Sequence, residues 1–294
     1  MLKEVFLNIA DFIICLRSKS EAPLFIENGY KNFLVEKPFE NIDINIEVFD
    51  HIPNEILKSE KKKIYSAVMD DKALWEISEA ENELRFDIFQ QKSSTEIQQI
   101  AFCDKSYGNW KIFTSSFENE DGNIGICPLL YPMGPLIMYY LTVKNDAIMI
   151  HASGVFDGEK GRIFSGFSGV GKSTMGNIWQ TEGSELINDD RLIIRKKKDG
   201  FYFYNTPMFY EDKPKKAKLD EIYLPYHHPE NILESLNGIK AVASLMSYCI
   251  QHGYDKSIIS HHLNVISQIC AAVPVSKLGF VPNKSVISFL KAKL

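Results

Sequence analysis

The sequence predicts an α/β fold in two parts: a β-rich, α+β domain over residues 1–127 and an α/β domain over residues 128–294. Three observations predict it. Ile42, Ile44, Ile46 and Val48 alternate with Asp43, Asn45 and Glu47, the period-two pattern of a strand with one buried face. From Tyr131 onward, short apolar runs alternate with segments of helical spacing. Between one such run and one such segment lies Gly166-Phe167-Ser168-Gly169-Val170-Gly171-Lys172-Ser173, a glycine-rich turn joining a strand to a helix.

The elements follow in order. Residues 1–20 are apolar but carry Lys3, Glu4 and Asp11 and no small-residue cleavage site, so a strand is expected there and not a membrane span or signal peptide. After 42–48, residues 73–78, 84–88, 98–103 and 111–114 supply short strands separated by polar turns such as Tyr107-Gly108-Asn109. Strands at this spacing suggest an antiparallel sheet or small barrel. The polar run Glu118-Asn119-Glu120-Asp121-Gly122-Asn123 is the expected domain edge. A helix over 136–143 follows Pro135, then strands over 147–152 and 162–165, the glycine loop, and a helix over 173–180 ending near Gly183. Residues 186–188 lead into Asp189-Asp190 at a strand end, 191–195 continue as a strand, and 201–204 return as its hairpin partner. A lysine-rich loop over 206–218 precedes helices over 239–248 and 257–272, a strand over 275–281 and a last helix over 284–293 capped by Asn283.

Composition excludes several function classes. A net charge of −5 gives no global basic field for nucleic acid. The five cysteines, Cys15, Cys103, Cys127, Cys249 and Cys270, lack C-x-x-C spacing, so free thiols in a reducing cytoplasm are expected and not a metal site. His227-His228 and His261-His262 lack Cys or carboxylate partners at ligand spacing and read as surface histidines. Phe201, Tyr202, Phe203 and Tyr204 form an aromatic strand better explained by core packing than by base stacking.

The run from Gly166 to Ser173 reads G-x-x-x-x-G-K-S, the phosphate-binding P-loop. At average glycine usage a random chain of this length matches about one time in a hundred, and the strand before and helix after it sharpen the match. The loop residues Gly166, Ser168, Gly169, Val170, Gly171 and Thr174 would cradle phosphate, Lys172 would reach the β- and γ-phosphates, and Ser173 would hold Mg²⁺. ATP with Mg²⁺ is therefore the expected ligand. Such a site needs an acidic element near the metal, and Asp189-Asp190 stands seventeen residues after Lys172. One carboxylate would reach the metal and the other an acceptor hydroxyl. Only five arginines are present, none after Arg195, which excludes an arginine-rich lid.

The stretch from Ile150 to Ile194 resembles the HPr kinase/phosphorylase family, and more closely its HPr-kinase-related relatives, often associated with peptide-modification gene clusters. His151 precedes Lys172 by twenty-one residues, as the family's active-site histidine precedes its P-loop lysine. Ala272 to Pro282 and Thr206-Pro207 also look like the related group, so the resemblance covers about residues 131–294. It implies a fold like the nucleotide domain of phosphoenolpyruvate carboxykinase. It also implies Asp190 as the metal carboxylate, Asp189 as the general base and His151 beside the phosphates and acceptor. The bifunctional family's late glycine- and arginine-bearing signature has no counterpart here, so neither phosphorolysis nor HPr as acceptor is implied. Arg191 or a lysine of residues 213–218 is the candidate cation for the transferring phosphoryl group, although a solvated loop accounts for the lysines as well.

The expected function is ATP-dependent phosphoryl transfer to a hydroxyl of a peptide, protein or small molecule. A nucleotide-binding regulatory module without transfer is the alternative, and a simple ATPase or carboxykinase a third. The β-rich half would bind the acceptor or mediate assembly, and the family's oligomers make a homo-oligomer an expectation. Neither a nucleic-acid nor a membrane partner is expected.

Overall fold

The computed structural model describes residues 3–39, 41–90, 93–118 and 122–293. The chain is a mixed α/β protein with two large sheets. It divides into two compact units. The first runs to Lys144 and includes Pro207–Lys213 and His252–Tyr254; the second takes Asn145–Thr206, Pro214–Gln251 and the residues from Asp255 on. The boundary therefore falls at 144/145, not at the expected 127/128. Asn119, Glu120 and Asp121 of the expected domain edge lie outside the described residues.

In the first unit the elements are β1 (Glu4–Ile9), β2 (Phe12–Ser18), α1 (Asn28–Lys31), β3 (Leu34–Val35), β4 (Ile44–Phe49), α2 (Asn54–Lys58), β5 (Lys62–Met69), β6 (Lys72–Ala80), β7 (Glu83–Gln90), β8 (Ser93–Asp104), β9 (Asn109–Thr114), β10 (Phe117–Glu118), β11 (Ile124–Gly125) and α3 (Met133–Lys144). Ala10 and Asp11, both at positive φ, turn β1 into β2, as a two-residue hairpin requires. The alternation read at 42–48 is realised in β4, where Ile44, Ile46 and Val48 are buried. The sheet has nine strands in the order β3-β1-β2-β4-β9-β8-β7-β6-β5. It is not wholly antiparallel as expected, because β4 lies parallel to both β2 and β9. Helix α3 belongs to this unit for a physical reason. It is apolar on every side, with Leu136, Ile137, Met138, Tyr139, Tyr140 and Leu141 all buried, so it needs cover all round. The Tyr140 ring packs edge-on against Phe86 of β7 at 5.2 Å and near Trp110 of β9 at 5.7 Å.

The second unit contains β12 (Ala147–Phe156), β13 (Gly161–Ser165), α4 (Lys172–Thr181), β14 (Glu185–Lys197), β15 (Gly200–Asn205), β16 (Lys216–Lys218), β17 (Glu221–His227), β18 (Ile232–Leu236), α5 (Ile239–Met246), α6 (Lys256–Ala272), β19 (Val275–Phe280) and α7 (Ser285–Ala292). Its eight strands run β16-β15-β14-β12-β13-β17-β19-β18. The pairs β13–β17 and β17–β19 are parallel and the rest antiparallel. Helices cover both faces. Ile163 and Ile222 pack in one cluster with Ala241 and Leu245 of α5 and Val265, Ile266 and Ile269 of α6. Their neighbours Phe164 and Tyr223 pack in the other with Met175 and Trp179 of α4 and Val286 and Leu290 of α7. Adjacent strand residues point to opposite faces, so this is an α/β/α sandwich. Phe201 and Phe203 sit in the first cluster, as core packing predicts. Part of the expected lysine-rich loop is strand β16, and its flanking residues 207–213 belong to the first unit.

A buried ionic cluster fastens the strand that leads into the glycine loop. Arg162 of β13 is almost fully buried. Its Nε donates to Glu221 at 2.7 Å and its Nη1 to Asp157 at 2.8 Å, and its guanidinium lies 4.6 Å from the Trp179 ring centre. Burial pushes the Asp157 carboxyl up, but the Lys160 and Glu159 N–H groups and Arg162 outweigh it and hold the carboxyl at about 2, below the usual 3.8. A depressed folded-state value contributes stability that is present above the unfolded value and lost as pH falls through the folded one. Asp157→Asn is therefore expected to lower the unfolding free energy by about 2 kcal/mol at neutral pH. The gap to the wild type should narrow as the pH falls from 3.8 toward 2. Urea titrations of both chains across that range check it; a gap independent of pH would show that Asp157 carries no such linkage.

Candidate active site

Residues 166–171 leave the end of β13, at the middle of the sheet, and deliver the chain to α4. Gly169 has φ +81° and Gly171 φ +102°, a left-handed backbone that L side chains rarely adopt. Gly171 is also the N-cap of α4, and a Cβ there would meet the Phe280 ring at 2.5 Å. The two glycines are thus required by backbone geometry, and Gly171 also by close approach to β19. The loop forms one wall of a cavity of ≈ 560 Å³, to which Gly166, Phe167, Ser168, Gly169, Gly171, Lys172, Ser173 and Thr174 contribute. Val170 is not among the lining residues. Lys172 Nζ donates to the Gly166 and Phe167 carbonyls at 2.9 Å each. Burial pulls the lysine's pKa down, with Asp189 and Asp190 opposing.

His151, Asp189 and Asp190 line the same cavity. They come from neighbouring strands: His151 of β12 is paired with Arg191 of β14, Ala152 with Asp190 and Ser153 with Asp189. The acidic pair does not stand at a strand end, as the sequence suggests, but inside the thirteen-residue β14. The expected irregularity is instead a bulge before it, where the register with β12 shifts between Gly154 and Val155. Asn188, buried and not anticipated from the sequence, fixes the backbone around the pair. Its Oδ1 accepts from the Asp189 N–H at 2.8 Å and its Nδ2 donates to the Arg191 carbonyl at 2.8 Å. An Asn immediately before Asp-Asp was the signal available for it.

The two carboxylates differ. His151 Nδ1 lies 3.4 Å from Asp190 Oδ1, and Arg191 Nε donates to Asp190 Oδ2 at 2.9 Å. Burial pushes Asp190 up, but His151 and Arg191 more than offset it, leaving the carboxyl below its usual value. Arg191 thus serves Asp190 and is not a lining residue of the cavity. Asp189 carries no ion pair or side-chain hydrogen bond at its carboxylate among the described residues. The lysines of 213–218 are absent from the lining as well; Lys215 Nζ donates to the Leu186 carbonyl.

No family model matches this chain. No curated protein matches it either. Among solved structures it is similar to the HPr(Ser) kinase/phosphatase from Coxiella burnetii, with a TM-score of 0.30 and 9% identity over 49% of this chain and 97% of that one. The residues of the cavity are what carry a functional reading.

Four lining residues were not anticipated. His227, exposed as the sequence suggests, ends β17 beside the cavity, with its Nε2 3.2 Å from the Gly169 carbonyl and its ring stacked near Phe280. Ser247, Tyr248 and Cys249 follow α5. Past the end of β13, the open flank of β12 is taken by this segment: the His151 N–H donates to the Tyr248 carbonyl at 3.2 Å, and the Ile250 N–H to Met149 at 2.9 Å. Tyr248 packs edge-on against Phe167. All five cysteines are free. Burial pushes the Cys249 thiol well above its usual range, which disfavours it as a nucleophile. His262 departs from the expectation of a surface histidine. It is buried on the inner face of α6 with Ile258, Val265, Ile266 and Ile269, and burial, with His261 adding, pulls its pKa down to about 4. Among the described residues no cluster of three His, Cys, Asp or Glu could hold a metal, and no helix is long and apolar enough to cross a membrane.

Proposed function

We propose that this chain is an ATP-dependent kinase of the HPr-kinase-like, carboxykinase-fold type, transferring the γ-phosphoryl group to a hydroxyl of a peptide, protein or small-molecule acceptor. The observation that carries the reading is the convergence of the left-handed glycine loop, Lys172, Ser173, His151 and the Asp189–Asp190 pair in one cavity. Backbone N–H groups at the start of α4 suit phosphate oxygens. Mg²⁺ takes one or two carboxylates together with substrate phosphates and does not need an all-protein cage. The Asp190 carboxylate and the Ser173 hydroxyl fit that donor set. Bound there, the ion would neutralise charge on the phosphate oxygens.

The rest of the chemistry belongs to the chain. Lys172 holds the β- and γ-phosphates. His151 and Arg191 keep Asp190 ionised. Asp189, without a competing partner, takes the proton of the acceptor hydroxyl as its oxygen bonds to the γ-phosphorus. The bond from that phosphorus to the bridging oxygen breaks, and the nucleoside diphosphate departs with the electron pair. Positioning and charge neutralisation supply most of the rate.

Incubation with γ-labelled ATP, Mg²⁺ and an array of serine- and threonine-bearing peptides and small alcohols tests this. Label on an acceptor hydroxyl is the expected result. ATP binding without transfer to any acceptor would favour a nucleotide-binding regulatory module, and release of label to water alone a simple ATPase.

A further inference from the structure

A second groove, of ≈ 310 Å³, adjoins the first. It is lined by Thr174, Asn177, Ile178, Thr181, Glu182 and Lys284, and Thr174 lines both. Asn177 and Thr181 are exposed one turn apart on the outer face of α4, and Ile178 is half-buried between them. Lys284 comes from the connection between β19 and α7.

The polarity of the loop gives this groove a meaning. Lys172 marks the β/γ end of a bound triphosphate, beside Asp189, Asp190 and His151. The α-phosphate then falls toward the first turn of α4, past Ser173, and the nucleoside attached to it leaves the cavity on the Thr174 side. The aromatic pair Phe167–Tyr248 is a poor alternative for the base. The main-chain carbonyl of Tyr248 accepts from the His151 N–H, and Tyr248 lines the cavity alongside His151, which puts this segment at the γ end. The aromatic residues Phe201 and Phe203 are in the core. The groove offers what a nucleoside needs: an apolar floor at Ile178, donors at Asn177 and Lys284, and an acceptor at Glu182. The Thr181 hydroxyl, already donating to the Asn177 carbonyl, retains acceptor capacity.

From this we infer that the groove between α4 and Lys284 is the nucleoside subsite, taking the ribose and base of a nucleoside di- or triphosphate whose phosphates lie on residues 166–173. The inference rests on the phosphate-loop reading, and its test separates the two. Calorimetric titration of the full chain with Mg²⁺ plus either ATP or inorganic tripolyphosphate measures the contribution of the nucleoside directly. Wild type is expected to bind ATP about tenfold more tightly than tripolyphosphate or better. Thr181→Trp, which fills the groove from an exposed position, is expected to abolish that preference while tripolyphosphate affinity stays within about twofold. Retained tripolyphosphate binding reports a folded loop. Asn177→Phe is the second variant, should Thr181→Trp fail to fold. A variant that keeps the wild-type ATP preference overturns the subsite, as does a wild type that binds both ligands equally. A wild type that binds neither overturns the phosphate loop, and the subsite with it.

Discussion

Lys172→Ala is expected to weaken Mg²⁺–ATP binding by about a hundredfold or more, the loss of two charge-assisted contacts. The ammonium lies within the cavity over its own loop, donating to the Gly166 and Phe167 carbonyls. Burial already disfavours its charge, and the nearby Asp189 and Asp190 only partly compensate. Phosphate oxygens at the mouth of the loop would complete that compensation. Removal of Nζ leaves the cradle with no lysine charge while the acidic pair remains to repel the triphosphate. Arginine at this position is expected to fail too, since a planar fork does not reproduce a compact ammonium. Calorimetry on wild type and both variants checks the prediction, and equal affinity in Lys172→Ala would remove the basis for a phosphate site.

Asp189→Asn is expected to leave ATP affinity within about threefold while transfer falls by a factor of about 10²–10⁴, the range for loss of a general base. The separation follows from the different surroundings of the two carboxylates. Asp190 is held by His151 and Arg191 and is assigned to the metal side. Asp189 makes no such contacts and is available to a proton. The conservative amide keeps the backbone bracket of Asn188, whose Oδ1 accepts from the main-chain N–H of residue 189, so the fold should persist. Single-turnover transfer with labelled ATP, alongside equilibrium binding, checks both halves. An Asp189→Asn chain that transfers at the wild-type rate would transfer the base assignment elsewhere, with Asp190 the remaining carboxylate in the cavity.

The legible parts of the chain were those whose pattern is local. Strand β4 announced itself through Ile44, Ile46 and Val48 because one of its faces is buried and the other is less so. Helix α6 was legible from its spacing and is capped by Asp255, which accepts from the Ser257 N–H. Strand β5 was missed because its apolar residues, Ile64, Tyr65, Ala67, Val68 and Met69, do not alternate with polar ones; none is fully buried, and the strand lies at the edge of its sheet. Strand β17 was missed for the opposite reason. It is a short apolar run, Glu221–His227, buried on both faces between parallel neighbours, and such a run has no alternation to detect.

At the site itself, the loop, Lys172 and the acidic pair could be named because glycine's backbone freedom and the chemistry of a lysine or carboxylate belong to the residues. The sequence by itself determined that set of groups and the strand–loop–helix order that presents them. Tertiary structure decided which other residues meet them. His227 reaches the Gly169 carbonyl only because β17 lies parallel to β13, and Tyr248 reaches His151 only because residues 248–250 take the free flank of β12. It also decided that His262 faces a core, that Arg191 holds Asp190, and that α3 belongs with the first sheet. Each of these rests on pairing between residues far apart in the chain, where the energy comes from burial and hydrogen bonds that no local pattern records.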